Sequence, residues 1–178
     1  TISIEFRSAA TISGIYTAIA AFMYWRMSSM VGTDGDATAL LAMPTHFRYV
    51  DWLITTPLML LNLMVLLQVT DEKRGLAFVM IAADIAMIIF FFFGVRYSSV
   101  PGMQVQVRVL FGMGCVAYLI LLYMMYSVLS DAASDKVAPV KRAFLNMRLF
   151  IVLGWSIYPL CFIIGMLSEG DSFKVGRE

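Results

Sequence analysis

The chain has 178 residues, of which 61% are apolar and 14% charged, with a formal net charge of +1. Its mean hydropathy of +0.83 sets it apart from water-soluble domains, which run at about half apolar and about a quarter charged. The charge balance leaves no basic face for nucleic acid and no acidic face for cationic partners, so an integral membrane protein is expected.

Five stretches are long enough to cross about 30 Å of hydrocarbon as helices. They are Ala9 to Met30, Phe47 to Val69, Leu76 to Val95, Val105 to Ser130 and Ala143 to Leu167. Short polar connections separate them: the Gly32-Thr33-Asp34-Gly35-Asp36 turn, the Asp71-Glu72-Lys73-Arg74 run, Ser98 to Gln104 with Pro101-Gly102, and Asp131 to Pro139. The pattern predicts an all-α membrane protein, a bundle of five transmembrane helices forming one domain over residues 1–178. No signal-peptide pattern, repeat or low-complexity stretch interrupts it. Cys115 and Cys161 both lie in apolar runs without metal-ligand spacing and read as packed thiols.

Arg7, Lys73, Arg74, Lys136, Lys141 and Arg142 flank one side of the bundle, against Arg96, Lys174 and Arg177 on the other. The first side, with the N-terminus of the first helix, is therefore expected to be cytoplasmic, although Arg26, Arg48 and Arg108 weaken the bias.

The second segment is the most informative. Arg48 and Asp51 stand inside an apolar stretch, where each charge costs about 2.5 to 3.5 kcal/mol near a bilayer centre. At about 100° per residue, Arg48, Asp51, Thr55 and Asn62 fall within about 60° of one another, with Trp52 and Met59 beside them. Lipid cannot solvate that stripe, so it must look into the bundle. Asp51 and Asn62 are about 16 Å apart along the axis, a spacing that suits a proton path. Pro57 deprives the Leu53 carbonyl of its usual donor. A plain interhelical clamp, Arg48 paired with Asp51 and Thr55, Thr56 and Asn62 as bundle glue, is the competing reading.

In the third segment Asp84 has no basic residue within a helical turn, and a protonated carboxyl is expected there. In the fifth, Trp155, Tyr158 and Pro159 sit at i, i+3 and i+4, two aromatics beside a helix-distorting proline. Together with Trp52, they suit a flat, elongated apolar ligand.

Arg48-Tyr49-x-Asp51-Trp52-x-x-Thr55-Thr56-Pro57-Leu58, followed later by Trp155-Ser156-x-Tyr158-Pro159, resembles the microbial rhodopsins, in particular the proteorhodopsin, xanthorhodopsin and bacteriorhodopsin group. The resemblance covers the whole chain, as the second to sixth of that family's seven helices. It implies retinal as cofactor, held between Trp52 and Trp155, with Tyr158 and Pro159 along the polyene and Thr56, Met59, Asp84 and Met87 nearer the ring. It also implies Asp51 as counterion and proton acceptor, Arg48 as its electrostatic partner, Thr55 as its hydrogen-bonding neighbour and Tyr24 as a further phenol nearby.

Three departures shape the functional expectation. The family binds retinal on a seventh-helix lysine, whereas Lys73, Lys136, Lys141 and Lys174 are expected in loops or the tail, so an internal fragment truncated at both ends is expected. Asn62 stands where pumping relatives carry an acidic proton donor, and an amide cannot donate that proton. Met23 stands where many proteorhodopsins place a histidine; the single histidine, His46, reads as interfacial. Two weaker implications are a carotenoid antenna beside Gly112 or Gly114, with close helix packing as its rival, and Glu169 as a release-group carboxylate, with a solvated loop residue as its rival.

The leading expectation is therefore not an enzyme but a light-driven outward proton pump, slow because of Asn62. The alternatives are a sensory photoreceptor signalling to a transducer, and an inactive truncated fragment. An inward chloride pump is disfavoured, because an ionised Asp51 would occupy the anion's place. The expected partners are the lipid bilayer of a prokaryotic plasma membrane, protons and, at most, further copies as a homo-oligomer.

Overall fold

The computed structural model describes residues 4–30, 45–69 and 74–175, and every regular element among them is an α-helix. In chain order these are α1 (Ile4–Met30), α2 (Thr45–Leu66), α3 (Arg74–Ser98), α4 (Gln104–Ser134) and α5 (Ala138–Val175). The Gly32 to Asp36 turn, residues 71–73 of the charged run and Arg177 lie outside the described residues, as does the side chain of Glu169.

Apolar runs adopt helix here because lipid offers a backbone amide no partner, and a helix satisfies its amides internally. Among the described residues, four helices contain a stretch long and apolar enough to cross a membrane: His46–Leu66, Gly75–Ser98, Gln104–Ser134 and Ala138–Ile164. At 27 residues α1 has the length. Arg7, Ser8, Thr11 and Ser13 dilute its first half, where the Thr11 hydroxyl donates back to the Arg7 carbonyl at 3.0 Å. All five expected helices are present, and α1 is the most polar of them.

The helices overrun their apolar cores. α5 has 38 residues, about 57 Å at 1.5 Å per residue, against about 30 Å of hydrocarbon. Pro139 fits its first turn, where the missing amide hydrogen has no helical acceptor in any case. Lys141 and Lys174 consequently belong to the first and last turns of α5, not to a loop and a tail as expected. Arg74 likewise opens α3 instead of closing a loop.

The backbone divides into two compact units, Thr1–Lys136 and Val137–Glu178. In the first, α1 packs on α2, α2 on α3 and α3 on α4. Met27, Leu60, Leu63, Met80, Leu121 and Met125 form its core at no more than 1% exposure. Phe22, Trp25, Phe78, Leu119 and Tyr123 point outward and are exposed, as a surface solvated by acyl chains requires.

Glycine matters at two places in the α3–α4 hairpin. Gly102 turns the chain with φ +86°, a region costly for residues with a β-carbon. At Gly114 a β-carbon would stand 2.5 Å from Cε1 of Phe91, so the missing side chain is what seats that ring against α4. The same phenylalanine meets Phe111 at 5.7 Å between centroids. Gly112 differs: it is exposed, and an added β-carbon would touch nothing within 4 Å.

α2 closes on a Schellman motif. The Val69 amide donates to the Met64 carbonyl and the Gln68 amide to the Val65 carbonyl, both at 3.1 Å. Gln68 holds the left-handed conformation, φ +50°, that this motif usually gives to glycine. In the second unit, Pro159 within α5 leaves the Trp155 carbonyl without its helical donor.

Candidate functional site

The polar stripe of α2 is its buried face. Asp51 is 2% exposed, Thr55 8% and Asn62 6%, while Val50, Leu53, Ile54 and Leu61 on the other faces are exposed. Arg48 lies one turn before Asp51 and is half-buried. Asp51 therefore points into the helix group and away from lipid.

Two adjacent threonines just before Pro57 turn back onto the main chain in the same way. Thr55 Oγ1 donates to the Asp51 carbonyl and Thr56 Oγ1 lies against the Trp52 carbonyl, each at 2.8 Å. Such contacts bend a helix locally, and here they fall in the turn that the proline has already loosened. Thr55 thus bonds the main chain of Asp51 and not its carboxyl.

Thr56 does more. Its Oγ1 also lies 2.8 Å from Oδ2 of Asp84 on α3, the link that joins the two polar helices. One hydroxyl hydrogen cannot serve two acceptors. Thr56 Oγ1 is placed to donate either to the Trp52 carbonyl or to Asp84 Oδ2.

Three buried oxygens have no donor among the described residues: Oδ1 of Asp51, Oδ1 of Asn62 and Oδ1 of Asp84. Leaving such an atom unpaired costs about 1–3 kcal/mol, so it is tolerated where another duty requires it. At Asp51 the free oxygen can receive a proton or face a cationic group. At Asn62 the amide can accept a hydrogen bond but has no acid proton to give.

Helical register places Trp52, Thr56 and Met59 within about 60° of one another on α2. Met87 lies one turn from Asp84 on α3 and is buried. The α2–α3 seam therefore offers an indole and two thioethers beside an acid with an open oxygen, a donor set that fits a long apolar ligand with one positive end. Tyr49 and Phe92 extend the aromatic wall: Tyr49 meets Trp52 at 5.2 Å and Phe92 at 5.4 Å, both edge-on. Phe92 was not singled out by sequence, and Tyr49 stood in the motif without a role of its own.

The remaining expected residues lie on α1, α2, α4 and α5. Tyr24 on α1 is 48% exposed and makes no hydrogen bond to Asp51 among the described residues. Met23 is half-buried, and His46 is exposed with its ring 4.8 Å from that of Phe47. Trp155, Tyr158 and Pro159 belong to the second unit, where Trp155 and Pro159 are half-buried and Tyr158 is 45% exposed. Cys115 and Cys161 are free thiols.

Residues 2–174 match the family model described as bacteriorhodopsin-like protein. The chain is 28% identical over 174 residues to the green-light absorbing proteorhodopsin of Gamma-proteobacterium EBAC31A08, covering 96% of this chain and 65% of that protein. It is 32% identical over 161 residues to sensory rhodopsin-2 of Natronomonas pharaonis, covering 90% and 62%. The crystal structure of Exiguobacterium sibiricum rhodopsin matches with a TM-score of 0.79 and 34% identity, over 92% of this chain and 69% of that one. The chain spans less than two thirds of the length of the two sequence relatives.

Proposed function

Because this chain belongs to the bacteriorhodopsin-like family, we propose that the whole protein binds retinal and is a light-driven outward proton pump, with Asp51 as the acceptor of the transported proton. Asp51 itself carries the reading: an acid 2% exposed on the inner face of α2, beside Trp52, with Oδ1 open to a new partner.

When bound, retinal supplies a long apolar chain with a cationic, proton-bearing end and a shape that light changes. Trp52, Thr56, Met59, Asp84, Met87, Trp155, Tyr158 and Pro159 would hold it. Asp51 balances the positive end and takes up its proton, and Arg48, one turn away, balances Asp51 while the acid is charged. Thr55 fixes the backbone carbonyl of Asp51 through its 2.8 Å bond and so steadies the acid. Tyr24 is assigned to the same end of the path.

Asn62 sets the pace. With an amide and no acid at that point, a proton must come from bulk water, and recovery is slow and pH-dependent. The same residue supports a second reading, a sensory photoreceptor coupled to a transducer, in which a long-lived state is the signal; the 32% identity to a sensory rhodopsin agrees with it. A carotenoid antenna, if one binds, belongs at exposed Gly112, since Gly114 is filled by Phe91. The protein would sit in a prokaryotic plasma membrane with the N-terminus of α1 cytoplasmic, alone or as a homo-oligomer.

The test is illumination of cells expressing the full-length gene with retinal. Acidification of the medium that a protonophore abolishes is expected of the pump. Slow photochemical recovery without acidification would overturn it in favour of the sensor.

A further inference from the structure

Beyond Asn62, the end of α2 carries features that proton uptake at Asp51 does not use. Gln68 holds φ +50° at the cap of α2, where a β-carbon costs energy that glycine would spare. Glutamine supplies what glycine lacks: its Oε1 accepts a hydrogen bond from Lys136 Nζ at 3.2 Å, tying the end of α2 to residues just after α4. Next to Gln68, Val69 joins Met64, Leu76, Met80, Met124 and Leu129 around an apolar cleft among α2, α3 and α4. Six residues before Gln68, about 9 Å along the axis, the Asn62 side chain is 6% exposed and its Oδ1 has no donor among the described residues.

A buried amide oxygen so close to a helix end is dry only while the apolar side chains between it and the surface stay closed. Among the described residues, a polar tie across that end is formed by Gln68, whose backbone conformation is unfavourable. We propose that the Lys136–Gln68 hydrogen bond is a latch that keeps this end of the helix group shut and water away from Asn62, and that its opening sets the rate at which protons arrive there. The second half of the proposal rests on the transport reading above.

The latch is tested without light on full-length protein in detergent carrying Asn62→Cys, labelled with N-ethylmaleimide and corrected for Cys115 and Cys161 with the protein lacking that substitution. Adding Lys136→Met should speed labelling of position 62 about three- to tenfold, the range expected for losing one net hydrogen bond. Lys136→Arg, which keeps a donor, should leave the rate near its starting value. An unchanged rate in Lys136→Met overturns the latch. Should Asn62→Cys fail to fold, hydrogen exchange of the amides at positions 63 to 69 reads the same opening in Lys136→Met alone, where faster exchange supports the latch and unchanged exchange overturns it. Flash-induced recovery of the retinal-loaded Lys136→Met protein then tests the second half. Faster recovery supports it, whereas faster labelling with unchanged recovery keeps the latch and overturns its link to proton supply.

Discussion

Thr55–Asp51 and Thr56–Asp84 use the same two residue types one position apart, and they do opposite things. Thr55 spends its hydrogen on a main-chain carbonyl, so the carboxyl of Asp51 gains no partner from it. Thr56, turned about 100° further around the helix, reaches a carboxyl on another helix. Each of these buried carboxyls leaves Oδ1 without a donor among the described residues, and they differ in that Oδ2 of Asp84 is tied across helices by Thr56; on the transport reading proposed above, Asp51 is the acid left to react.

The strongest way to break that contrast is to neutralise each acid in the full-length, retinal-loaded protein. Asp51→Asn should reduce light-driven proton transport about a hundredfold or more, the scale of losing a positioned acid–base group, measured as medium acidification. Asp84→Asn should leave transport within about threefold, because its amide can still donate to Thr56. In thermal denaturation the order reverses towards structure. Asp84→Leu should lower stability by about 1–2 kcal/mol, since it removes the interhelical partner while leaving Thr56 its backbone acceptor. Thr56→Val should cost about 0.6–1.7 kcal/mol, the span measured for hydrogen bonds between membrane helices. Thr55→Val should cost no more than about 0.5 kcal/mol, because its bond stays within one helix. If the two threonine variants were equally destabilising, the distinction between the two regions would fail.

Much of this arrangement was legible in the sequence. Helix formation followed from apolar runs that lipid forces to bond internally, and the inward stripe from Arg48 to Asn62 followed from residue spacing alone. The cross-helix clasp was not legible, although Thr56 and Asp84 were both singled out, because periodicity fixes a face within one helix and says nothing about the register of the next. The two glycines show the same limit: Gly112 and Gly114 differ only in what α3 sets against them, and Phe91 chooses Gly114. The cap of α2 escaped notice because its residue is glutamine, where the usual signal is glycine. The overrun of α5 escaped it because apolarity marks where a helix crosses lipid, not where its backbone stops.

That overrun gives Pro159 a mechanical meaning. The proline leaves one rung of the hydrogen-bond ladder open, and 21 residues of helix, about 32 Å, extend from it to Ala138. A change of about 10° in the bend there would swing the N-terminal tip of α5 sideways by about 5 Å. A displacement too slight to register beside an aromatic ring becomes, at the end of such a lever arm, wide enough to admit a water molecule or jostle a docked partner.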